Sequence, residues 1–297
     1  MARARRRVDG ILPLDKPLGM SSNAALQAVR RMYDAEKAGH AGTLDPLASG
    51  LLPVLFGQAT RFSGWLLDAD KSYRASVQLG VTTETADAEG KVLETRPVEA
   101  GIERIDAALA RFRGAIEQVP PMYSALKRAG RPLYELAREG LVVERAARPV
   151  RIDRLDRLAL NGTLLEIYVT CSKGTYVRTL AEDIGHALGC GAHLAGLRRV
   201  AAGNFLIEQA ASLDMLARLD DGGRAGWVRP VDELLTGLPR VDLETADARR
   251  FAQGQVLQRD VDEAQDYRVY ERGGDFLGVG TGGARDRLRP RRLISGV

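Results

Sequence analysis

Residues 39–53 hold one histidine, His40, and one carboxylate, Asp45, among turn-forming residues directly ahead of an apolar run. Pro46 disfavours a helical backbone at the residue before it, so we expect Asp45 to project from an extended or turn conformation. The three glycines of this segment allow positive φ and a close approach of a ligand to the main chain. Most Asp-Pro pairs behind a glycine are surface turns whose carboxylate bonds its own backbone, so the loop by itself leaves a structural role open.

Two more residues able to do chemistry fall inside predicted regular elements. Tyr73 lies in residues 71–79, which alternate with period two and place its ring on the apolar face of a strand. A packed aromatic whose hydroxyl finds a local partner is the simplest interpretation of that pattern. Arg178 falls in the first turns of a helix predicted over 176–188, behind a capping segment at 172–175. A cation there opposes the helix dipole, so we expect an acidic partner to hold it.

These residues depend on strands and helices for their positions. Periodicity, turn residues and capping residues predict strands at 11–14, 51–56 (interrupted by Pro53), 71–79, 116–119, 151–158, 164–171 and 193–205, and helices at 22–33, 60–67, 105–112, 176–188 and 213–219. The first helix is expected to begin at a cap on Ser22 or Asn23. Gly189 is expected to end the helix at 176–188.

Residues 122–149 differ in character from the rest of the chain, because basic residues are interleaved with tyrosines around a short predicted helix. Lys127, Arg128 and Arg131 suit a surface for single-stranded or looped RNA. A solvated insertion with a few anchoring tyrosines is an equally good interpretation of these residues. Both interpretations stay open here.

The two ends of the chain are predicted to stand apart from its centre. Residues 237–239 mark a boundary, beyond which a small helix and short strands predict a compact β module. Residues 1–10 are predicted to be a disordered cationic arm.

Composition limits the classes of function. The chain has 297 residues with 43 Lys and Arg against 39 Asp and Glu, so its net charge of +4 favours a polyanionic partner only weakly. Cys171 and Cys190 are too few for a disulfide framework and lack a metal-ligand spacing, which indicates a reducing, cytoplasmic setting. We expect no metal site, since the three histidines form no short ligand motif. We expect no membrane span, since no apolar run approaches the required length.

Several blocks of the chain resemble, in order, the bacterial tRNA pseudouridine synthases that isomerise uridine 55 in the TΨC arm. Residues 39–53 match the GHxGTLDPxAxGxL signature of that family. The other matching blocks are 14–17, 71–73, 121–127, 172–179 and 191–199. Co-linear blocks are far more specific than one motif, and the chain departs from the family at no position used for chemistry.

The resemblance implies an α+β fold with two domains. A pseudouridine synthase catalytic domain would occupy 11–238, with a long mixed, mainly antiparallel sheet flanked by helices. Residues 122–149 would be its RNA-gripping insertion, and 239–297 a small PUA-type RNA-binding β domain. We expect a monomer whose partner is the T arm of tRNA.

The resemblance also implies the reaction and its catalytic residues. Asp45 would be the nucleophile, Arg178 its ion-pair partner, and Tyr73 the residue that lies over the uracil and transfers a proton. Isomerisation to a C-glycoside involves no net redox change and no transferred group, so no cofactor is expected. Whether Asp45 attacks C1′ of the sugar or C6 of the base stays open.

Further residues would bind the substrate, whose uridine must be flipped out of its stack to be reached. The substrate-binding residues implied by the family are His40, Tyr176, Leu197 and Lys16. Arg198, with the three basic residues named in the insertion, would contact RNA. Two alternatives remain open: an RNA-binding or tRNA-folding protein in which catalysis is secondary, and a pseudouridine synthase for another RNA.

Overall fold

The structure, a computed structural model, describes residues 5–124, 126–128 and 130–295. The side chains of Lys127, Arg128, Tyr134 and Arg138 also lie outside the described part. The strands are β1 (Gly10–Lys16), β2 (Ala38–His40), β3 (Ala48–Phe56), β4 (Lys71–Leu79), β5 (Val81–Thr83), β6 (Val92–Thr95), β7 (Gly114–Gln118), β8 (Lys127–Arg128), β9 (Arg131–Pro132), β10 (Arg148–Asn161), β11 (Leu164–Cys171), β12 (Ala192–Ala202), β13 (Phe205–Leu206), β14 (Ala211–Ser212), β15 (Arg240–Leu243), β16 (Leu257–Gln258), β17 (Asp266–Glu271), β18 (Phe276–Gly283) and β19 (Arg287–Leu293).

The helices are α1 (Ser22–Met32), α2 (Ser63–Asp68), α3 (Ile102–Ala110), α4 (Leu133–Arg138), α5 (Val177–Leu188), α6 (Leu213–Arg218), α7 (Asp221–Ala225) and α8 (Thr245–Ala252), with 3₁₀ turns at Gly57–Phe62, Ile207–Gln209 and Val231–Leu235. In the described part of the chain no helix is long and apolar enough to cross a membrane.

A ten-stranded sheet in the order β14-β1-β3-β12-β4-β11-β10-β7, with β2 beside β3 and β13 beside β12, forms the centre of the described structure. Of its described pairs, only β1 with β14 and β3 with β12 run parallel. The predicted α+β class with a long, mixed and mainly antiparallel sheet is therefore confirmed.

The parallel pair of β3 and β12 brings distant parts of the chain together at the centre of this sheet. Gly50 lies opposite Arg199 in the register of the two strands. It has a φ of +100°, and a Cβ built on it would lie 2.3 Å from the Arg199 carbonyl oxygen. Glycine is required here, because any side chain would push the two strands apart.

The alternation predicted for residues 71–79 gives β4 one fully buried face, formed by Ala75, Val77 and Leu79. Helix α5 packs against this face through a shared apolar core. It begins one residue later than predicted, with Tyr176 as N-cap, and no side chain supplies a cap. Gly189 ends it with a φ of +80°, as predicted.

Helix α1 anchors the Asp45 loop, and its N-cap lies one residue earlier than the cap predicted at Ser22 or Asn23. The Ser21 hydroxyl accepts the N–H of Ala24 at 3.1 Å and is the N-cap. Ser22 is buried and bonds both the N–H and the carbonyl of Leu44, each at 2.8 Å. The residue directly before Asp45 is therefore tied to the start of α1.

The C-terminal strands form a separate five-stranded sheet in the order β15-β17-β18-β19-β16. With α8 they enclose a core around Phe251, Val269 and Leu288. The Phe276 ring of this unit lies 5.8 Å from the Phe62 ring, centroid to centroid, so the two units are in contact. A domain division at residue 239 stays a prediction.

The N-terminal arm requires a correction. Residues 1–4 lie outside the described residues, but the N–H of Arg6 donates to the Asp34 carbonyl at 2.7 Å and its carbonyl accepts from Glu36 at 3.0 Å. Arg6, in the arm predicted to be disordered, therefore forms a β-bridge with Ala35 in the segment that follows α1.

Candidate active site

The Asp45 loop joins β2 to β3 and holds its carboxylate towards solvent. The Asp45 side chain is 50% exposed, whereas Leu44 beside it is buried. The Asp45 carbonyl accepts the N–H of Ala48 at 3.0 Å, and the Pro46 carbonyl accepts that of Gly19 at 2.9 Å. The backbone of the loop is therefore occupied, and the carboxylate stays available for a contact outside it.

Arg178 provides that contact from the first turn of α5. Its guanidinium is only 8% exposed, and its Nη2 lies 3.0 Å from Oδ2 of Asp45. The same nitrogen donates to the carbonyl of Tyr123 at 2.7 Å. The structure thus brings Asp45 and Arg178 together, and the acidic partner expected for Arg178 is present.

A second carboxylate, Asp87, completes this cluster and was not foreseen from the sequence. Its Oδ2 lies 3.4 Å from Nη1 of Arg178, and its side chain is 5% exposed. Asp87 lies in the turn between β5 and β6, where it also accepts the Thr85 hydroxyl and the N–H of Glu89. One guanidinium therefore bridges a buried carboxylate and a half-exposed one.

Asp45 and Arg178 line a cavity of about 330 Å³, a size typical of small-ligand sites. Its lining residues are Gly42, Thr43, Leu44, Asp45, Leu67, Lys71, Tyr73, Ser124, Ser172, Lys173, Gly174, Thr175, Tyr176, Val177, Arg178, Leu197 and Arg199. Five of the residues singled out in the sequence are therefore gathered here.

Tyr73 reaches the cavity from β4, where it is paired with Arg199 of β12. Burial raises the pKa of the Tyr73 phenol above its ordinary value, although the Arg199 guanidinium beside it acts in the opposite direction. The phenol is therefore neutral near pH 7 and can donate a hydrogen bond or a proton.

Tyr176 and Leu197 line the cavity from α5 and β12. The backbone of Tyr176 is held in both directions by the buried Gln118, whose Oε1 accepts its N–H at 3.0 Å and whose Nε2 donates to its carbonyl at 3.3 Å. Gln118 thus fixes the start of α5 without entering the cavity. The sequence held no signal for this role.

Lys16 lies outside the lining of the cavity. It is fully buried, and its ammonium donates to the carbonyls of Pro17 and Met20 at 2.9 and 2.6 Å. Burial, assisted by the charge of Arg199, lowers the pKa of Lys16. Lys16 thus holds its own turn, and its role in substrate binding stays a prediction.

His40 lies in β2 outside the cavity lining, at the start of the Asp45 loop. Its Nδ1 is buried and has no hydrogen-bond partner among the described residues. Burial, with the nearby charge of Arg199, lowers its pKa. The imidazole is therefore neutral at pH 7.

Two of the predicted RNA-binding residues, Arg198 and Arg131, are each paired with an acidic side chain. Arg198 makes a two-pronged ion pair with Asp15 at 2.7 and 3.1 Å, and Arg131 pairs with Glu139 at 2.5 Å. The side chains of Lys127 and Arg128 lie outside the described residues. Across the described chain, no cluster of three or more His, Cys, Asp or Glu could hold a metal ion.

Comparisons with known proteins cover nearly the whole chain. Residues 30–177 match the TruB family pseudouridylate synthase N-terminal domain, residues 178–236 the tRNA pseudouridylate synthase B C-terminal domain, and residues 239–294 the pseudouridine synthase II TruB C-terminal family. A tRNA pseudouridine synthase B of Aromatoleum aromaticum is 53% identical over 99% of this chain and 95% of its own length. A tRNA pseudouridine synthase B of Stutzerimonas stutzeri is 54% identical over 98% of this chain and 97% of its own length.

Solved structures share the fold at lower identity. A chain of a Cbf5-Nop10-Gar1 complex matches 96% of this chain and 84% of its own with a TM-score of 0.74 at 24% identity. A chain from an H/ACA RNP bound to a substrate RNA containing 2′-deoxyuridine matches 97% and 85% with a TM-score of 0.74 at 22% identity. These two likenesses concern the fold alone.

Proposed function

Because the chain belongs to the TruB family of pseudouridylate synthases, we propose that it acts on uridine 55 in the TΨC loop of tRNA with Asp45 as nucleophile. The protein is a tRNA pseudouridine synthase, an isomerase that converts uridine in tRNA to pseudouridine. The position of the uridine, the flipping of the nucleotide and the roles of single residues belong to the proposal. With tRNA as substrate, its place of action is the cytoplasm.

The reaction sets three requirements for the site. The N1–C1′ bond breaks, the uracil turns and C5 joins C1′, while C5 loses a proton and N1 gains one. A nucleophile must capture the reactive intermediate, a second group must move a proton, and the detached uracil must stay in place. No electron or group is gained or lost overall.

One observation carries the proposal: the half-exposed Asp45 carboxylate faces the cavity and is held 3.0 Å from Arg178. A nucleophile must be reachable by substrate, which the exposure of Asp45 allows. It must also be fixed in direction, which the guanidinium and the bonded loop provide. Attack at C1′ and attack at C6 are both compatible with this placement.

Tyr73 is the proposed proton-transfer group, since its phenol is neutral and lines the same cavity. Tyr176 and Leu197 form the walls that would retain the uracil after the glycosidic bond breaks. His40, at the start of the loop, is proposed to fill the space that the flipped nucleotide leaves. An extruded nucleotide is needed because a stacked uridine cannot reach the cavity, and extrusion costs a few kcal/mol.

The T arm is proposed as the substrate element. The basic residues of 122–149 and the C-terminal unit are the proposed grip on it, since basic residues interleaved with tyrosines suit looped RNA. A tRNA-folding role is compatible with this grip, because binding and opening a T loop also remodels it.

The test is the conversion of an unmodified tRNA transcript, with pseudouridine mapped by a base-specific chemical probe. Wild-type protein is expected to modify uridine 55, whereas Asp45→Asn should form no product and bind the transcript with nearly wild-type affinity. Asp106→Asn is the matched control, since Asp106 is also about half exposed and bonded to an arginine, Arg157, but lies outside the cavity. Turnover by Asp45→Asn within tenfold of wild type would remove Asp45 from the nucleophile role.

A further inference from the structure

Arg199 is one of the largest fully buried side chains, at 1% exposed, and it forms part of the cavity wall. It is adjacent to Arg198, yet the two point to opposite faces of β12. Arg198 reaches Asp15 at the surface, whereas Arg199 extends beneath the Asp45 loop. The two neighbouring arginines therefore have different surroundings and different tasks.

The contacts of the Arg199 guanidinium connect three elements of the site. Its Nε donates to the Leu51 carbonyl of β3 at 2.6 Å, and its Nη2 donates to the Gly42 carbonyl at 3.0 Å. It also lies directly opposite Tyr73 in the pairing of β12 with β4, so the two side chains are neighbours on one face of the sheet and both line the cavity. Gly42 lies three residues before Asp45, so one planar group joins the nucleophile loop to the strand that carries Tyr73.

The burial of Arg199 carries a free-energy cost that a residue which only fills space would not have. Burying a guanidinium costs several kcal/mol unless hydrogen bonds compensate it. The hydrogen bonds of the Arg199 guanidinium go to two carbonyl oxygens rather than to a carboxylate. An apolar side chain of similar volume would fill the same space at no such cost. The fork geometry of arginine, which holds several acceptors in fixed directions, is the property that an apolar residue lacks.

We propose that Arg199 is a positioning residue of the isomerisation, which fixes the Asp45 loop and the Tyr73 hydroxyl relative to each other. The inference rests on the proposed roles of Asp45 and Tyr73. Gly42 supports it from the loop side, because it has a φ of +88° and a Cβ built there would lie 3.3 Å from Nη1 of Arg199. The charge of Arg199 also contributes to lowering the pKa values of Lys16 and His40, which lie near the cavity but outside its lining.

Arg199→Lys is the first test, since it keeps the charge but cannot bond both carbonyls while it stays beside Tyr73. Losing charge-assisted hydrogen bonds that hold two reacting groups should lower the single-turnover rate about 10- to 100-fold. Affinity for tRNA should stay within threefold of wild type, because the buried guanidinium does not contact the RNA surface. Arg224→Lys is the matched control, since Arg224 also donates to two carbonyls, those of Leu216 and Met32, outside the cavity.

Rates are expressed per folded molecule, with the folded fraction taken from urea unfolding monitored by circular dichroism. A rate within threefold of wild type per folded molecule overturns the proposal, as does a loss of affinity equal to the loss of rate. Asp45→Asn is assayed in parallel: if it stays active the proposed function fails, whereas an inactive Asp45→Asn with an unimpaired Arg199→Lys overturns only the positioning role.

Gly42→Ala perturbs the same contact from the loop and keeps the proposal testable if Arg199→Lys folds poorly. It should lower the rate at least tenfold by displacing the carbonyl that accepts from Arg199. In the double variant, Gly42→Ala should lower the rate of Arg199→Lys by less than a further threefold, because both substitutions break the same connection. Losses that multiply in full would show independent effects and contradict the proposal, as would an unchanged rate in Gly42→Ala.

Discussion

Replacing Arg178 by lysine separates the two carboxylates that one guanidinium now serves. An ammonium is a single point of charge and cannot hold Asp45 and Asp87 at once, as Nη2 and Nη1 do at 3.0 and 3.4 Å. Burial decides which carboxylate it keeps. Asp87 is 5% exposed and would be left unpaired away from water, whereas Asp45 is 50% exposed and can be hydrated.

The magnitudes support that choice. Leaving one partner of a buried ion pair alone costs about 3–5 kcal/mol, whereas losing an exposed pair costs about 0–1 kcal/mol. In the Arg178→Lys variant the ammonium is therefore expected to stay with Asp87, and the free energy of unfolding of the free protein should change by less than about 1 kcal/mol. With substrate in the cavity Asp45 is shielded from water, and the charge-assisted hydrogen bond that it then lacks is worth about 1.5–3 kcal/mol. At 1.36 kcal/mol per factor of ten, this predicts a kcat lowered by about 10- to 150-fold.

The assay follows the proton that the reaction removes. A transcript with tritium at C5 of uridine releases the label when C5 joins C1′, so single-turnover release measures the chemical step directly. Affinity for tRNA and urea unfolding are measured on the same samples. Arg157→Lys is the control, because Arg157 makes a bidentate pair with Asp106 at 2.7 and 2.8 Å outside the cavity.

Three results would refute this reasoning. A kcat within threefold of wild type would mean that the pairing of Arg178 with Asp45 is not used in the reaction. A stability loss of about 3–5 kcal/mol would mean that the ammonium left Asp87, against the ranking by burial. A rise in the tRNA Kd as large as the fall in kcat would make Arg178 a binding residue.

Two further predictions concern stability. The pKa of Lys71 is lowered to about 8, mainly by burial, so between about pH 8 and its ordinary value near 10.5 the unfolded chain binds more protons and stability rises with pH. The free energy of unfolding of wild type, relative to that of Lys71→Met, should therefore rise across that window and stay constant between pH 6 and 7.5. Urea unfolding at each pH measures it, and a difference between the two proteins that does not change with pH would contradict the prediction. Gly50→Ala should lower the free energy of unfolding by about 2–5 kcal/mol, because its Cβ would meet the Arg199 backbone at a positive φ. Gly64→Ala is the control and should not lower the free energy of unfolding, because the added methyl meets open space. Equal effects of the two substitutions would show that the pairing of β3 with β12 tolerates a side chain at residue 50.

Asp45 and Arg178 were predictable because local signals agree with the family resemblance, which assigns the two residues to one site. Pro46 and the surrounding glycines mark Asp45 as a residue held out from a loop, and the helix dipole marks Arg178 as a cation in need of an acid. Asp87 carries no such signal. The segment 84–89 contains three acidic residues, and only the packing of distant elements buries one of them.

Register explains other differences between expectation and structure. Arg198 and Arg199 alternate across β12, but which one faces the cavity depends on strand pairing that includes register shifts in β12. Pro53 was expected to interrupt a strand, yet β3 runs through it. It faces Pro13 and lies between the stretch that pairs with β12 and the stretch that pairs with β2, so its missing N–H leaves no ladder bond unmade.

The parallel contact between β3 and β12 also dictates when during synthesis the cavity can exist. Asp45 leaves the ribosome early, but Arg199 follows 148 residues behind Leu51, whose carbonyl accepts a hydrogen bond from its side chain. Contacts between such distant segments form late, because loop closure costs entropy before the contact can stabilise anything. A nascent chain of the N-terminal half therefore contains Asp45 but not the cavity around it. We expect it to isomerise uridine only after residues up to Arg199 have been synthesised and have folded.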